Sequence, residues 1–417
     1  MKRKWLAIGV GILLVFSIVV GTIGCDSDTT SNGATPSEAA PSEAAPTQAP
    51  KEFQIGIITG LTGPAAAIFA GHKECWDMAA AEANEAGGIT VNGQKYLVEL
   101  VYYDDKFTVE GVTAAIQKLK ADGVKIFIGP AVFPDAVSKI AHEAGLLHFD
   151  FSGSYGIYGD YGQLTFCIHV GGTAVNLATV VYAAENYPDV VNFGMMGQNN
   201  VVGRSTADNI INLNDTVLGD RFEIIPATFY EPGTTDFRPL LISLLQEDPD
   251  IINVLQAPTD EVLLMIKQAR ELGYTGKFQT LYAFTPEEIE AVMPAEYIYG
   301  IQIGGMTYWE NPPDILADYK DRFIDRYGHL PGANVAYEIS QIPDILRAIE
   351  EANSFDTLKI AQVLESWPSW EAHHGTFSWG GLETTGWNHI AEGPSSLTLI
   401  DSADNWYTVI QPAVQVP

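Results

Sequence analysis

From residue 52 onward the apolar positions switch repeatedly between two periods. "FQIGIITGL" (residues 53–61) is an apolar strand, and "HKECWDMAAAEANEAGG" (72–88) is Ala-rich with helical spacing and a glycine pair as its stop. "YLVELVYYDD" alternates, "VEGVTAAIQKLKADG" is helical, and "VKIFIGP" is a strand. "AVSKIAHEAG" and "LLHFDFSGS" continue the series, which reads β-α-β-α-β-α-β with short joints. A second series begins near Gly172: "NLATVVYAAENYP", "VVNFGMMGQNN", "RSTADNIINLNDTVLG", "FEIIPATFY", "FRPLLISLLQEDP", "DIINVLQAP", "EVLLMIKQARELG" and "GKFQTLYAF". Two amphipathic helices follow, "DILADYKDRFIDRYGH" and "ISQIPDILRAIEEANSF", and the end is strand-rich in "GTFSWGG", "SSLTLID" and "WYTVIQP". Alternation of this kind specifies parallel sheets covered by helices on both faces, so the fold class is α/β, with two Rossmann-like lobes and a C-terminal part shared between them.

A chain of 417 residues has room for two such cores. The balance of 22 Lys+Arg against 52 Asp+Glu gives −30 and excludes nucleic acid as a natural partner. The chain opens with "MKRKW" and an unbroken apolar run ending at Cys25, the pattern of an export signal, with an uncleaved membrane anchor as the alternative. The small residues before Cys25 resemble the lipobox of bacterial lipoproteins, although Thr22 and Ile23 depart from its usual residues. Cleavage there removes residues 1–24 and leaves 19 Lys+Arg against 52 Asp+Glu, or −33. The following "DSDTTSNGATPSEAAPSEAAPTQAP" has no apolar surface worth burying and reads as a disordered tether over 25–51. Cys75, on a helix, and Cys167, in a strand, read as two buried thiols rather than a bridge.

In open α/β sheets ligands sit beyond the carboxyl ends of the strands. The loops there contribute Phe69, Phe133, Ser152, Gly153, Ser154, Asn200, Gln256, Thr259 and Tyr282, a set of aromatics and neutral hydrogen-bonding groups with few acids or bases. Catalytic patterns are missing. His142 and His148 in "HEAGLLH" are six apart, too far for a zinc pair on one helical face, and "FSGSYG" lacks nucleophile-elbow spacing. "HH" at His373 and His374, beside a glycine, reads as a solvated loop pair. The opening "GLTGPAAA" has neither dinucleotide-fingerprint nor phosphate-loop spacing, but its small residues can expose N–H groups at a helix N-terminus and hold a carboxylate without Lys or Arg. No enzyme, cofactor or metal is expected.

The stretches "IGIITGLTGP", "AEANEAGGITVNGQKYLVELVYYDD", "AAIQKLKADGVKIFIGP", "IAHEAGLLHFDFSGS", "EPGTTDFRPLLISLLQEDPDIINVL" and "LLMIKQARELGYTGKF" resemble, in order and spacing, the leucine/isoleucine/valine-type substrate-binding proteins of ABC transporters, from Phe53 to the C-terminus. The resemblance implies a type I periplasmic binding protein fold: lobe 1 over 52–170 and 303–390, lobe 2 over 171–302 and 391–417, and three crossovers near Ile168–Gly171, Gly300–Gly304 and Ile390. It also implies a small solute as ligand, permease subunits as partners, and a place on the outer face of the cell membrane, reached through lipid on Cys25. A ligand sensor for a membrane signalling protein is the alternative. In amino-acid-binding members a serine takes the solute carboxylate where Phe133 stands here. The stretch that takes the α-ammonium corresponds to "DFSGS", with Ser152 and Ser154. The acid that completes the ammonium site corresponds to Tyr282, and an aromatic of the second lobe to Val202. These departures point to an apolar or aromatic solute with one polar end, such as an aromatic carboxylate, with a branched-chain amino acid as the alternative.

Overall fold

The computed structural model describes residues 49–63, 66–131, 133–152, 161–281, 284, 286–382, 386–402 and 405–414. The expected export signal, most of the tether and Cys25 lie outside the described residues, as do Gly153, Ser154 and Tyr282.

The first half runs β1 (Lys51–Thr59), α1 (Ala66–Glu85), β2 (Ile89–Val91), β3 (Gln94–Asp104), α2 (Val109–Ala121), β4 (Ile126–Ile128), α3 (Asp135–Ala144), β5 (Leu147–Phe149) and β6 (Thr165–Phe166). These strands form one sheet in the order β2-β3-β1-β4-β5-β6, parallel except for the β2–β3 hairpin. β1 extends two residues ahead of its apolar run because Lys51 and Glu52, although exposed, pair with Tyr96 and Leu97. Between α1 and β2 the chain turns through Gly88 at φ +70°, where a Cβ would stand 2.0 Å from the Tyr96 carbonyl oxygen; only glycine fits. The N-cap of α2 is Thr108, whose hydroxyl accepts from the Gly111 N–H.

The second half runs α4 (Gly172–Asn186), β7 (Asn192–Gln198), α5 (Val201–Thr216), β8 (Glu223–Ile224), β9 (Thr228–Tyr230), α6 (Arg238–Leu245), β10 (Ile251–Leu255), α7 (Thr259–Glu271), β11 (Lys277–Thr280), α8 (Pro286–Val292) and β12 (Ile301–Gly304). Then come α9 (Asp314–Tyr327), α10 (Gln341–Ala352), α11 (Thr357–Ser366), β13 (Trp370–Ala372), β14 (Gly375–Gly380), β15 (Ile390–Glu392), β16 (Ser395–Ser402) and β17 (Asn405–Gln411). The second sheet has the order β17-β16-β12-β11-β10-β7-β8, with β9 also on β7; its β16–β17 edge is antiparallel to the parallel remainder. Strands β13–β14–β15 form a small antiparallel sheet.

Each main sheet is covered on both faces. Under the first, Trp76 of α1 joins Ile342, Ile345 and Ile349 of α10 and Trp370, Phe377 and Trp379 of the small sheet, while α2 and α3 cover the other face through Ile116, Leu119 and Val137. α9 packs against α1 around Cys75, Met78, Leu316 and Phe323. The second sheet is covered by α6, α7 and α8 on one side and by α4 and α5 on the other. Under α4 its polar positions form a buried amide chain: Asn176 to Asn253, Asn253 to Gln279 at 2.9 Å, and Gln279 to Gln302 at 2.7 Å. The chain passes between the sheets three times, at 167–171, 305–313 and 393–394. Residues Gly300–Gly304, expected as a crossover, belong instead to the second sheet, because Ile301 and Ile303 pair with β11 and β16 and are buried. Cys75 and Cys167 are not joined; Cys167 forms an isolated bridge with Ile390, and its Sγ donates to the His169 carbonyl at 3.2 Å.

Candidate functional site

Strand order decides where to look. In the first sheet the connections reverse direction beside β1, and in the second beside β7, so each lobe has its topological switch point there. At the carboxyl edge of the first sheet, β1 ends at Thr59, β3 leads to Asp105, β5 to Phe151 and Ser152, and β6 to His169. Helix α1 starts over this edge, and the spacing of Phe69, His72 and Trp76 puts all three on one face. Their rings meet Phe151: its centroid lies 5.3 Å from His72, 5.3 Å from Trp76, 5.7 Å from His169 and 6.3 Å from Phe69, while Phe107 lies 5.8 Å from Phe69. Phe69, His72, Phe151 and His169 are each exposed by only 6–9%.

Polar groups are set into this aromatic wall. The segment before α10 brings in Glu338, which is 3% exposed; its Oε2 stands 3.5 Å from His72 Nδ1, and neither atom has a hydrogen-bond partner among the described residues. Burial lowers the pKa of His169, and the nearby Glu338 charge opposes that shift. Asp105 is fully buried and its Oδ2 is unpartnered; burial raises its pKa, against the hydrogen bond it accepts from the Phe107 N–H. Among the described residues no Lys or Arg forms an ion pair with either acid.

The loop after β1 does present N–H groups to a carboxylate, and that carboxylate is the protein's own. Leu61 N–H and Thr62 N–H donate to Asp104 Oδ1 at 3.0 and 3.3 Å, the Thr62 hydroxyl donates to Oδ2, and Lys106 N–H adds a further bond. Burial works against ionisation of Asp104, yet these bonds hold its pKa below the usual carboxylate range. Ser152 is similarly engaged, since its N–H and hydroxyl both donate to Asp150 Oδ1, at 3.0 and 2.8 Å.

The remaining positions scatter. Phe133, on the loop after β4, is 43% exposed at φ +55°. At the edge of the second sheet, Asn200 caps α5 by accepting from the Gly203 N–H and donates to Gln198 Oε1. Gln256, at φ +45°, donates to the Thr206 hydroxyl at 2.7 Å, and its Oε1 lies against the start of α4 at Gly172. Thr259 is half-buried at the start of α7. Phe69 and Ser152 are therefore gathered at one edge and Asn200, Gln256 and Thr259 at the other. Glu261 organises that second edge, accepting from the Tyr230 hydroxyl, Gln198 Nε2 and the Gly233 N–H at 2.8–2.9 Å.

His72, His169 and Glu338 were not among the expected site residues. His373 and His374 are not a solvated pair: they lie in the β13–β14 turn, where His374 is 4% exposed and stacked on Tyr337 and His373 Nδ1 pairs with the Ser340 hydroxyl. Burial, with the neighbouring His373, lowers His374 to about 3. His148, stacked on Phe127, is lowered to about 4 by burial against its bond to the Gly129 carbonyl. Among the described residues no group of three His, Cys, Asp or Glu could hold a metal. A surface depression of about 360 Å³ lined by Glu52, Phe53, Glu99, Lys125 and Phe355 lies at the opposite, amino edge of the first sheet.

The sequence model of the periplasmic binding protein family matches residues 52–404. The chain is 25% identical over 325 residues to Leu/Ile/Val-binding protein homolog 1 of Brucella abortus, which covers 75% of this chain and 81% of that one. Its fold is similar to the branched-chain amino acid transporter substrate-binding protein of Streptococcus pneumoniae in complex with isoleucine, with TM-score 0.68 and 19% identity over 86% of this chain and 100% of that one. It is also similar to an ABC transporter solute-binding protein of R. palustris in complex with benzoate, with TM-score 0.66 and 13% identity over 87% and 97%.

Proposed function

Since the chain belongs to the periplasmic binding protein family, we propose that it is an extracytoplasmic solute receptor of an ABC importer, which closes two lobes on a small solute and hands it to the membrane permease. The ring cluster of Phe69, Phe107, Phe151 and Trp76 at the carboxyl edge of the first sheet carries this reading, because a switch-point edge faced with aromatic rings suits a solute with an apolar or aromatic body. Relatives of this fold hold isoleucine in one case and benzoate in another. Lobe 1 takes residues 52–170 and 305–392, and lobe 2 takes 171–304 and 393–417; the bounds expected from the sequence, 303 and 391, move by two residues to keep β12 in the second sheet and β15 in the small one. Phe69 and Ser152 act from the first; Asn200, Gln256, Thr259 and Tyr282 act from the second; Phe133, Gly153 and Ser154 stand on the loops after β4 and β5. A thermal-shift screen of amino acids and aromatic acids tests the reading. A solute present at 100 times its dissociation constant stabilises the fold by about 2.7 kcal/mol. A screen in which no small solute raises the melting temperature contradicts it.

The receptor is exported and tethered by lipid on Cys25, with residues 25–51 as the leash. The charged start, the apolar run and the polar stretch after Cys25 support this. Intact-mass analysis of membrane fractions is expected to show loss of residues 1–24 and a gain of acyl mass; recovery of the unmodified full-length chain would sink the anchor.

A further inference from the structure

The receptor reading leaves open which end of the solute the first lobe holds, and the buried acid on its wall bears on that. Glu338 is 3% exposed, and among the described residues its Oε2 has no hydrogen-bond partner and no Lys or Arg pairs with it. A carboxylate taken out of water in this way is costly unless a counter-charge or donors reach it. His72 Nδ1 stands 3.5 Å from it, within ion-pair reach but without a hydrogen bond, and lacks any other partner among the described residues. The other groups around Glu338 add no cation. They are the thiol of Cys75, the hydroxyls of Tyr319 and Tyr337, and His169, which burial keeps toward its neutral form. A second buried acid, Asp105, also with an unpartnered oxygen, stands on the same sheet edge beside Phe69 across Gly60. Meanwhile four of the expected donors are engaged within the protein: the Leu61 and Thr62 amides with Asp104, and the Ser152 N–H and hydroxyl with Asp150. The wall thus carries unpartnered carboxylate oxygens on Glu338 and Asp105, next to Thr59 Oγ1 and His72 Nδ1, which also lack partners among the described residues.

We propose that Glu338, with His72 beside it, is the counter-charge for an ammonium group of the solute, so that lobe 1 receives the amine end and the ring cluster of Phe69 and Phe151 receives the apolar body. The solute is then an amino acid or an amine rather than a simple aromatic carboxylate. An ammonium brings a charge and three donors to the unpartnered Oε2 of Glu338, and the aromatic rings beside His72 add cation–π attraction.

The inference rests on the receptor reading, and the test separates the two. Calorimetric titration of the purified protein uses two triads of probes: leucine, 4-methylpentanoate and 3-methylbutylamine; phenylalanine, 3-phenylpropanoate and 2-phenylethylamine. The amine-bearing members of at least one triad are expected to bind and its deaminated acid to bind at least 100-fold more weakly. Glu338→Gln is expected to weaken the amine-bearing probes by 100-fold or more while changing the acid little. Because the comparison within each triad uses the unmodified protein, it stands even if the variant folds poorly. Tight binding of a deaminated acid with its amine partners silent overturns the subsite and leaves the receptor intact. Unchanged affinity in a folded Glu338→Gln variant also overturns it. Binding of none of the six overturns the subsite and counts against the receptor reading as well.

Discussion

Trp76→Ala is expected to destabilise the protein by about 3–5 kcal/mol, the range for deleting a buried aromatic from a core. Trp76 is fully buried on α1, edge-on to Phe151 at 5.3 Å and 6.1 Å from His72, so its removal leaves a cavity directly behind the aromatic wall. Its indole N–H also donates to Gln341 Oε1 at 2.8 Å, and Gln341 Nε2 already lacks a partner, so the variant strands a whole buried amide. Urea unfolding followed by tryptophan-independent circular dichroism measures the loss. Val202→Ala is the control: Val202 is 47% exposed, and its truncation should stay within about 0.5 kcal/mol. A Trp76→Ala variant as stable as that control would show that α1 does not pack on the sheet as described.

Glu261→Leu is expected to cost about 3 kcal/mol, because it removes one acceptor from three donors at once. Tyr230, 3% exposed, and the partly buried Gln198 would each lose a charge-assisted bond, and the Gly233 amide would be released with the loop that follows β9. Glu261→Gln keeps one acceptor oxygen and should cost roughly half as much. The loss belongs to the second lobe, so hydrogen exchange should quicken around Tyr230–Phe237 and stay unchanged across β1 and β3. Uniform quickening in both lobes would mean that Glu261 does not act locally.

Legibility in the sequence followed the range of the interactions. Near-continuous apolar runs placed β1, β4 and β10, because burial on two faces writes itself into neighbouring residues, and helical spacing placed the helices between them. The short β13 and helix α11 went unread; α11 buries only Ile360, Ala361 and Leu364, too brief a pattern to stand out. The loop after β1 was expected to hold a solute carboxylate on its N–H groups; those of Leu61 and Thr62 bond the protein's own Asp104, which could be found only from the β1–β3 pairing that sets Thr59 beside it. Phe133, which the resemblance matches to a serine that takes the solute carboxylate, has an exposed ring and a backbone at φ +55°. His72 and Glu338 carried no signal at all. They are far apart in the chain, and only the return of the chain through α9 to α10 beneath α1 brings them within 3.5 Å.

The central claim is a two-lobed receptor that shuts on its solute about the crossovers at 167–171, 305–313 and 393–394. A solute shifts the open and closed populations only if it touches both lobes and binds the closed form more tightly. Small-angle X-ray scattering of the purified protein, with and without a solute at saturation as fixed by calorimetry, measures this directly. The account predicts a smaller radius of gyration and a shorter maximum dimension in the bound state; identical scattering curves at saturation would contradict it.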